Sequence, residues 1–450
     1  MPAVSGPDAG AAASLVKSRH LAGLLVMGDA ITDRDRVTAL TAAIAGADPD
    51  RGSPIIVATD EEGGTVQRLR PVLGYVSAFM AAGANGNTAE VGAYYSGLGA
   101  QMLQLGFTMT MAPVADVTIG VEDPTIRTRS AGSRPDAVAG AVSAAWHGFA
   151  AAGVAPVIKH FPGHGSVTVD SHVALPRQQQ TIAELANTDL VPFATAIDEG
   201  VPAVMVGHLA VAGWGTTPTS VNPRTYAYLR NDLGFTGLAI TDAMNMEAIT
   251  DRYGSGEAAV AAIRAGADLV LMPASTDGAI KGIVSAVGRG TLSRDRLDEA
   301  AARVILLARW QQGLEVTAAT AERPSAFVEG SIVVATANCS ALIGDTVRIT
   351  GGTTAQRKAL ATALREHGVT VGSSGTLIRL VDGDRGRGSG DVVVALGGPW
   401  GLHASEAKTY VATWGSGAEQ LRALAAVLAG DVQPRGTWPV KVNVPVPTCG

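Results

Sequence analysis

The chain is poor in several residue types. Only 2 of its 450 residues are cysteine, aromatic residues make up 4% and charged residues 16%. Two cysteines cannot staple a chain of this length, which excludes a disulfide scaffold. Cys339 and Cys449 could form one bridge pinning the C-terminus in an oxidising compartment; two unpaired thiols are the simpler expectation. Lysine is sparse (Lys17, Lys159, Lys281, Lys358, Lys408, Lys441) and the formal net charge is −6. With no basic tract, neither nucleic acid nor an anionic membrane surface is an expected partner. The 55 glycines follow no Gly-X-Y period, so the chain is not collagen-like. The opening MPAVSGPDAG lacks a charged n-region and an apolar h-region, so no signal peptide is read in it. Cytoplasm and cell envelope both stay open as compartments. Leu- and Ile-rich runs of membrane length are missing as well. The uncharged stretch from Ala137 to Ile158 is long enough to cross a bilayer, but it is mostly Ala and Gly, with His147 and Pro156 inside. It reads as a helix running into a buried strand.

What is present is core material. Hydrophobic residues make up 47%, ample for folded domains, and the length suggests two or three, or one large barrel with a smaller partner. Short apolar runs alternate with amphipathic stretches up to about residue 312. Strands are expected at Leu21–Met27, Pro54–Thr59, Thr108–Ala112, Pro156–His160, Ala203–Val206, Gly237–Thr241 and Leu269–Met272. Each is a continuous apolar run, as parallel strands covered on both faces require. Helices are expected at Asp8–Arg19, Asp136–Ala152, Thr181–Glu199, Gly256–Ala265 and Ser293–Gln312. This alternation predicts an α/β fold with a TIM (β/α)8-type barrel. Seven strands are legible where a barrel needs eight. Either residues 1–5 form a short strand, or the barrel lacks its first one. A small polar stretch, about 317–326, reads as a linker between a barrel over 1–316 and a smaller α/β sandwich domain over 327–450. In that second unit, strands are expected at Thr346–Ile349, Thr376–Leu380, Asp391–Leu396 and Thr409–Thr413, and helices at Thr354–His367 and Gly417–Ala429.

The strand ends carry the chemistry. Runs finish in Asp60-Glu61-Glu62, Asp116, Lys159-His160, His208 and Asp242, and barrels build their sites at C-terminal strand ends. The densest segment is Lys159-His160-Phe161-Pro162-Gly163-His164-Gly165, followed by Asp170-Ser171-His172. Metal binding would need the two histidines on one helix face, which Pro162, Gly163 and Gly165 prevent, and Lys159 would repel a cation. A phosphate loop would need GxxxxGK[ST], which is absent. The remaining reading is a sugar- or acyl-transfer site in which Lys159 and His160 donate hydrogen bonds. In extended backbone Asp170 and His172 would point the same way, so the carboxylate could fix the imidazole for general acid/base work. Asp242, ending an apolar run, could be a nucleophile, a base or a ligand. The acids of Asp60–Glu62 could accept hydrogen bonds from sugar hydroxyls, and Arg129 is a further donor.

Together these segments resemble glycoside hydrolase family 3, in its β-N-acetylglucosaminidase branch. They are Asp60–Arg68, Ala112–Val117, Arg129-Ser130, Lys159–His172, Val204–His208, Leu229–Met246 and Ala267–Pro273, in family order. The resemblance covers residues 17–312 closely and the rest weakly. It implies that Asp242 is the nucleophile of a retaining exo-β-N-acetylglucosaminidase, with His172 as acid/base and Asp170 orienting it. A His–Asp pair then replaces the second carboxylate of the usual scheme. It further implies that Asp60, Arg68, Arg129, Lys159, His160 and Met205 line the sugar subsite. Cationic Lys159, Arg129 and Arg68 would help keep Asp242 ionised. No cofactor and no metal are implied. The expected partner is an N-acetylglucosamine-containing saccharide, such as a peptidoglycan-derived fragment, acted on by a monomer. The acid/base lies within the barrel, so the second unit is expected to be structural or substrate-restricting. Three alternatives remain: a family β-glucosidase, a phosphorylase in which phosphate replaces water as acceptor, and an inactive sugar-binding relative.

Overall fold

The computed structural model describes residues 1–316 and 321–450. The first part contains a five-stranded parallel sheet made, in chain order, of Ala3–Val4, Gly23–Val26, Ile56–Thr59, Met109–Thr110 and Ala155–Pro156. A three-stranded parallel sheet follows from Ile158–Phe161, Ala203–Val206 and Leu238–Thr241. Val157 lies between the two sheets and donates to Thr110 O and Ala112 O, at 3.1 and 3.0 Å. At the far edge Ile240 bridges Leu269, and Met272 N donates to Met1 O at 2.9 Å.

Alternation along these strands sorts their apolar residues onto two faces. Leu25, Ile56, Ala58, Met109, Met111, Val157, Met205, Ile240 and Leu271 form one buried cluster. Leu24, Val26, Val57, Val204 and Val206 face the other way, into the packing with the helices. One of those helices is Pro135–Ala151, the start of the uncharged stretch; it packs against Thr88–Gln104 and Val191–Asp198. No helix among the described residues is long and apolar enough to cross a membrane.

Three expectations change in this part. A first strand does exist: Ala3 and Val4 pair in parallel with Leu25 and Val26. Two residues in a Pro- and Gly-flanked start give no periodicity to detect. Conversely, Leu269–Met272 forms an isolated bridge and not a strand, because Met272 turns to φ 44° and Pro273 has no N–H to extend a ladder. The helix expected over Thr181–Glu199 is two helices, Ile182–Leu185 and Val191–Asp198. Thr181 and Glu184 form a capping box on the first, and Pro192 sits in the opening turn of the second. Elsewhere the expected helices form, with their first residues as caps: Asp8 caps Ala9–Arg19, and Ser293 and Gly313 bound Arg294–Gln312.

The second part is a six-stranded sheet in the order Val333–Thr336, Thr409–Ala412, Val392–Ala395, Thr376–Val381, Thr346–Gly351, Thr370–Val371. The first pair is antiparallel and the others parallel. Helices Thr354–Glu366 and Ala418–Ala429 pack on each other. Cys339 and Cys449 are joined in a disulfide, Cα–Cα 5.7 Å, so the expectation of free thiols is overturned. The bridge is reachable because Thr448 pairs with Ala335 and Cys449 N donates to Val334 O, bringing the chain end back to the first strand. Of the expected linker, residues 317–320 lie outside the described residues. Its later portion is bound to the protein: Ala321 O accepts from Gln101, Arg323 reaches Gln101 and Glu419, and a helix runs Ser325–Ser331.

Candidate active site

The ends of the parallel strands converge on a cavity of about 290 Å³. Leu25, Met111, Met205 and Leu271 supply apolar lining; Asp60, Arg68, Arg129, Lys159, His160, His172 and Asp242 supply polar groups. Every residue singled out in the sequence for this site lines the cavity except Asp170, which stands behind His172.

Asp242 follows the last residue of strand Leu238–Thr241. Its backbone N–H donates to Val206 O at 2.8 Å, and its Oδ1 accepts from Ala243 N at 2.7 Å. Burial pushes the carboxyl up, but His208, His160, the Ala243 N–H and Lys159 outweigh that and hold it at about 2. Burial also lowers the His208 imidazole. Near neutral pH, therefore, His208 is uncharged, and His160, the Ala243 amide and Lys159 are the remaining causes. His208 Nε2 lies 3.0 Å from Ala243 O, an acceptor, so Nε2 bears the proton and Nδ1 accepts from Ser220 Oγ at 2.7 Å. It fixes the turn that presents Asp242. Of the three cations expected to act on Asp242, Arg129 and Arg68 are engaged elsewhere.

Arg129 forms a two-point pair with Glu62, Nε to Oε2 at 2.7 Å and Nη2 to Oε1 at 2.9 Å. Lys159 is ion-paired with both Glu62 and Asp60, its Nζ donating to Asp60 Oδ1 at 2.6 Å. Arg68 Nη2 faces Asp60 Oδ2 at 3.6 Å. Burial alone would push Glu62 up and Lys159 down; instead Arg129 and Lys159 hold Glu62 below the usual carboxylate range, and Asp60 and Glu62 keep Lys159 raised. A buried charge network of this kind is stable only when each member is paired. It holds donors and acceptors at fixed positions around the cavity.

His160 is set by Asp116. The buried carboxylate accepts from the His160 N–H at 3.2 Å and from the His164 N–H at 2.7 Å, and its Oδ2 lies 2.6 Å from His160 Nδ1. Nδ1 therefore carries the proton, and Nε2 presents its lone pair, 3.4 Å from Arg129 Nη2. In this tautomer Nε2 accepts, where the sequence reading had His160 as a donor.

The Asp170–His172 segment differs from the extended arrangement read from the sequence. Residues 170–173 form a turn: Asp170 Oδ1 accepts both from the His172 N–H at 2.9 Å and at His172 Nδ1, 2.7 Å away, while Asp170 O accepts from Val173 N. The pairing is as expected, but an Asx turn produces it. Burial pushes Asp170 up, yet these bonds to His172 hold it below its ordinary value. His172 is 62% exposed, with Nε2 free of Asp170. Ser171, between them, is buried and lies 2.9 Å from His164 Nε2.

Sequence reasoning took Glu62 only as an acceptor for sugar hydroxyls and gave no positioning role to Asp116, His164, Ser171 or His208. Each sat in a quoted segment, but nothing local says which of three adjacent acids turns inward or which histidine an aspartate two strands away will hold.

Residues 1–307 match the family described as Glycosyl hydrolase family 3 N terminal domain. Beta-hexosaminidase LpqI of Mycobacterium tuberculosis is 36% identical over 311 residues, covering 66% of this chain and 78% of the relative. A solved glycoside hydrolase family 3 beta-N-acetylglucosaminidase from Paenibacillus sp. superposes with a TM-score of 0.86 at 25% identity, over 99% of this chain and 98% of its own. The beta-glucoside phosphorylase BglX bound to 2FGlc superposes at TM-score 0.79 over 98% of this chain and 92% of its own; at 18% identity this is a likeness of fold. With more than half of its length matched to one family and the strand-end cavity built as described, the chain belongs to glycoside hydrolase family 3 and is a glycoside hydrolase.

Proposed function

We propose that the protein is a retaining exo-β-N-acetylglucosaminidase, removing terminal β-linked N-acetylglucosamine from saccharides such as peptidoglycan-derived fragments. The observation that carries this reading is one cavity holding an ionised carboxylate, Asp242, and a carboxylate-backed imidazole, His172. In this mechanism the Asp242 carboxylate attacks the anomeric carbon while His172 Nε2 gives its proton to the leaving oxygen. A covalent glycosyl-enzyme results. His172 then takes a proton from water, which attacks the same carbon and releases Asp242, with net retention. Asp170 orients the ring and stabilises its cationic form in the second step. Asp60, Arg68, Lys159, Arg129 and His160 grip the sugar's polar groups, and Met205 packs against its apolar face.

The strands described above are, in this reading, the wall of a (β/α)8-type barrel over residues 1–316, closed through Ala3–Val4 and Leu269–Met272. Residues 327–450 are a separate sandwich domain. The inactive-relative alternative rested on a missing first strand, and Ala3–Val4 supplies one. The phosphorylase alternative draws on His172: a neutral imidazole at the rim repels an anionic acceptor less than a carboxylate would. Rates on nitrophenyl β-N-acetylglucosaminide and on the glucoside, with Asp242→Ala as control and phosphate as competing acceptor, test all three readings. Preference for the glucoside, or a sugar 1-phosphate as main product, overturns the proposal.

A further inference from the structure

No residue of the C-terminal unit lines the cavity among the described residues, yet that unit grips the loop that does. Residues 118–130 bring Thr125, Ile126 and Arg129 to the site. From inside, the loop winds around buried Asp123, whose carboxylate accepts from Thr118 Oγ1 and from the N–H groups of Thr125, Ile126 and Arg127, all within 3.0 Å. From outside, Arg127 Nη1 donates to Asp384 Oδ2 at 3.1 Å, and Asp384 Oδ1 in turn accepts from Gly398 N at 3.2 Å. Arg385 donates to Val121 O at 3.1 Å. Gly120, at φ +85°, lets the indole of Trp400 approach so closely that a Cβ there would lie 3.2 Å from Nε1. Arg127 itself sits at φ 47°, a conformation unfavourable to any residue with a Cβ. Such a backbone persists only where its surroundings over-determine it, and here the ties on both sides of Arg127 do so: Nε to Asp123 O at 2.8 Å and Nη1 to Asp384.

We propose that Asp384 and Arg127 are positioning residues: through them the C-terminal unit sets the loop that holds Arg129 against Glu62, and with it the affinity of the sugar subsite. This rests on the glycosidase reading for its substrate but not for its geometry. The prediction is a split in kinetic constants. Releasing the outer tie lets Thr125, Ile126 and Arg129 wander while Asp242, Asp170 and His172, on other segments, stay in place. Substrate binding weakens and turnover of bound substrate does not.

The test uses the full chain with Asp384→Ala, Arg127→Ala, the double variant, and Asp384→Asn, whose single amide oxygen can still accept from Arg127 while its NH2 faces the Gly398 N–H. Michaelis constants are measured on nitrophenyl β-N-acetylglucosaminide, and N-acetylglucosamine binding by calorimetry. A rise in KM and in Kd of roughly three- to ten-fold in each single alanine variant, no further rise in the double variant, unchanged kcat, and a smaller rise in Asp384→Asn than in Asp384→Ala support the tie. Unchanged KM and Kd, or a parallel loss of kcat and melting temperature, overturn it. A wild type that binds N-acetylglucosamine, loses affinity in Asp384→Ala, and hydrolyses no β-glycoside overturns the glycosidase reading and leaves the tie standing.

Discussion

Glu61 lies between Asp60, which lines the cavity, and Glu62, which anchors Arg129 and Lys159, but belongs to the core. Its side chain is fully buried; Oε2 accepts from Leu69 N at 2.7 Å and Oε1 has no partner among the described residues. Burial pushes its carboxyl up from 4.5 to about 8. In the unfolded chain the group ionises near its ordinary value, so between pH 4.5 and 8 folding takes up a proton. The folded state binds more protons, so this group's stabilising contribution is full below 4.5 and declines as pH rises towards 8. The slope is about 1.4 kcal/mol per pH unit, or about 2 kcal/mol between pH 6.5 and 8. Glu61→Gln keeps an oxygen for the Leu69 N–H and cannot ionise, so it removes this slope. Urea unfolding of both proteins at pH 6.5 and 8, followed by circular dichroism, gives the double difference. Other titrating groups, such as the buried Met1 ammonium held at about 5, cancel in it. The wild type should lose about 2 kcal/mol relative to the variant over that interval. Parallel pH dependences within about 0.5 kcal/mol would show that Glu61 is ionised in the folded protein and refute the argument.

Other outcomes follow from the site. Asp170→Asn removes the negative charge behind the His172 ring, and kcat should fall by roughly 10²- to 10⁴-fold with the fold intact, read by steady-state kinetics and melting temperature together. Gly165→Ala places a Cβ 2.3 Å from Val117 O, so the loop leading to the Asp170–His172 turn must shift; activity should fall even at temperatures where the destabilisation of about 1–3 kcal/mol that overpacking brings leaves the protein folded. Glu62 and Asp116 are both held below the ordinary carboxylate range. Their stabilisation is present above the unfolded values near 4 and is lost as pH falls through the folded ones, so Asp116→Asn should flatten the acid limb of an unfolding curve below pH 4.

Much of this architecture was legible because it is written locally. Continuous apolar runs such as Ala203–Val206 and Gly237–Thr241 declared buried parallel strands, and the helices expected over Asp8–Arg19 and Ser293–Gln312 form within a residue of those bounds. What escaped depends on distant partners. Ala3–Val4 is a strand only because Leu25 and Val26 lie beside it, and the disulfide forms because the last residues return to Val334 and Ala335. Val333–Thr336 is a miss of another kind, since its β-branched run was a visible signal. The site shows the same division. Asp242, Asp170 and His172 stand out by motif, whereas the split of Asp60, Glu61 and Glu62 into a subsite group, a core acid and a salt-bridge anchor follows from which cation or hydrophobic wall each one meets.

The central claim is that Asp242 becomes covalently attached to the sugar. An activated 5-fluoro N-acetylglucosaminyl fluoride, whose ring fluorine slows the second step, should load the wild-type protein. Peptide mass spectrometry then locates the label. The account predicts one added sugar on the peptide containing Asp242 and none on Asp242→Asn, whose turnover should also fall by about 10⁴-fold or more. A label on another carboxylate, or rapid turnover with an inverted anomeric product and no label, would contradict it.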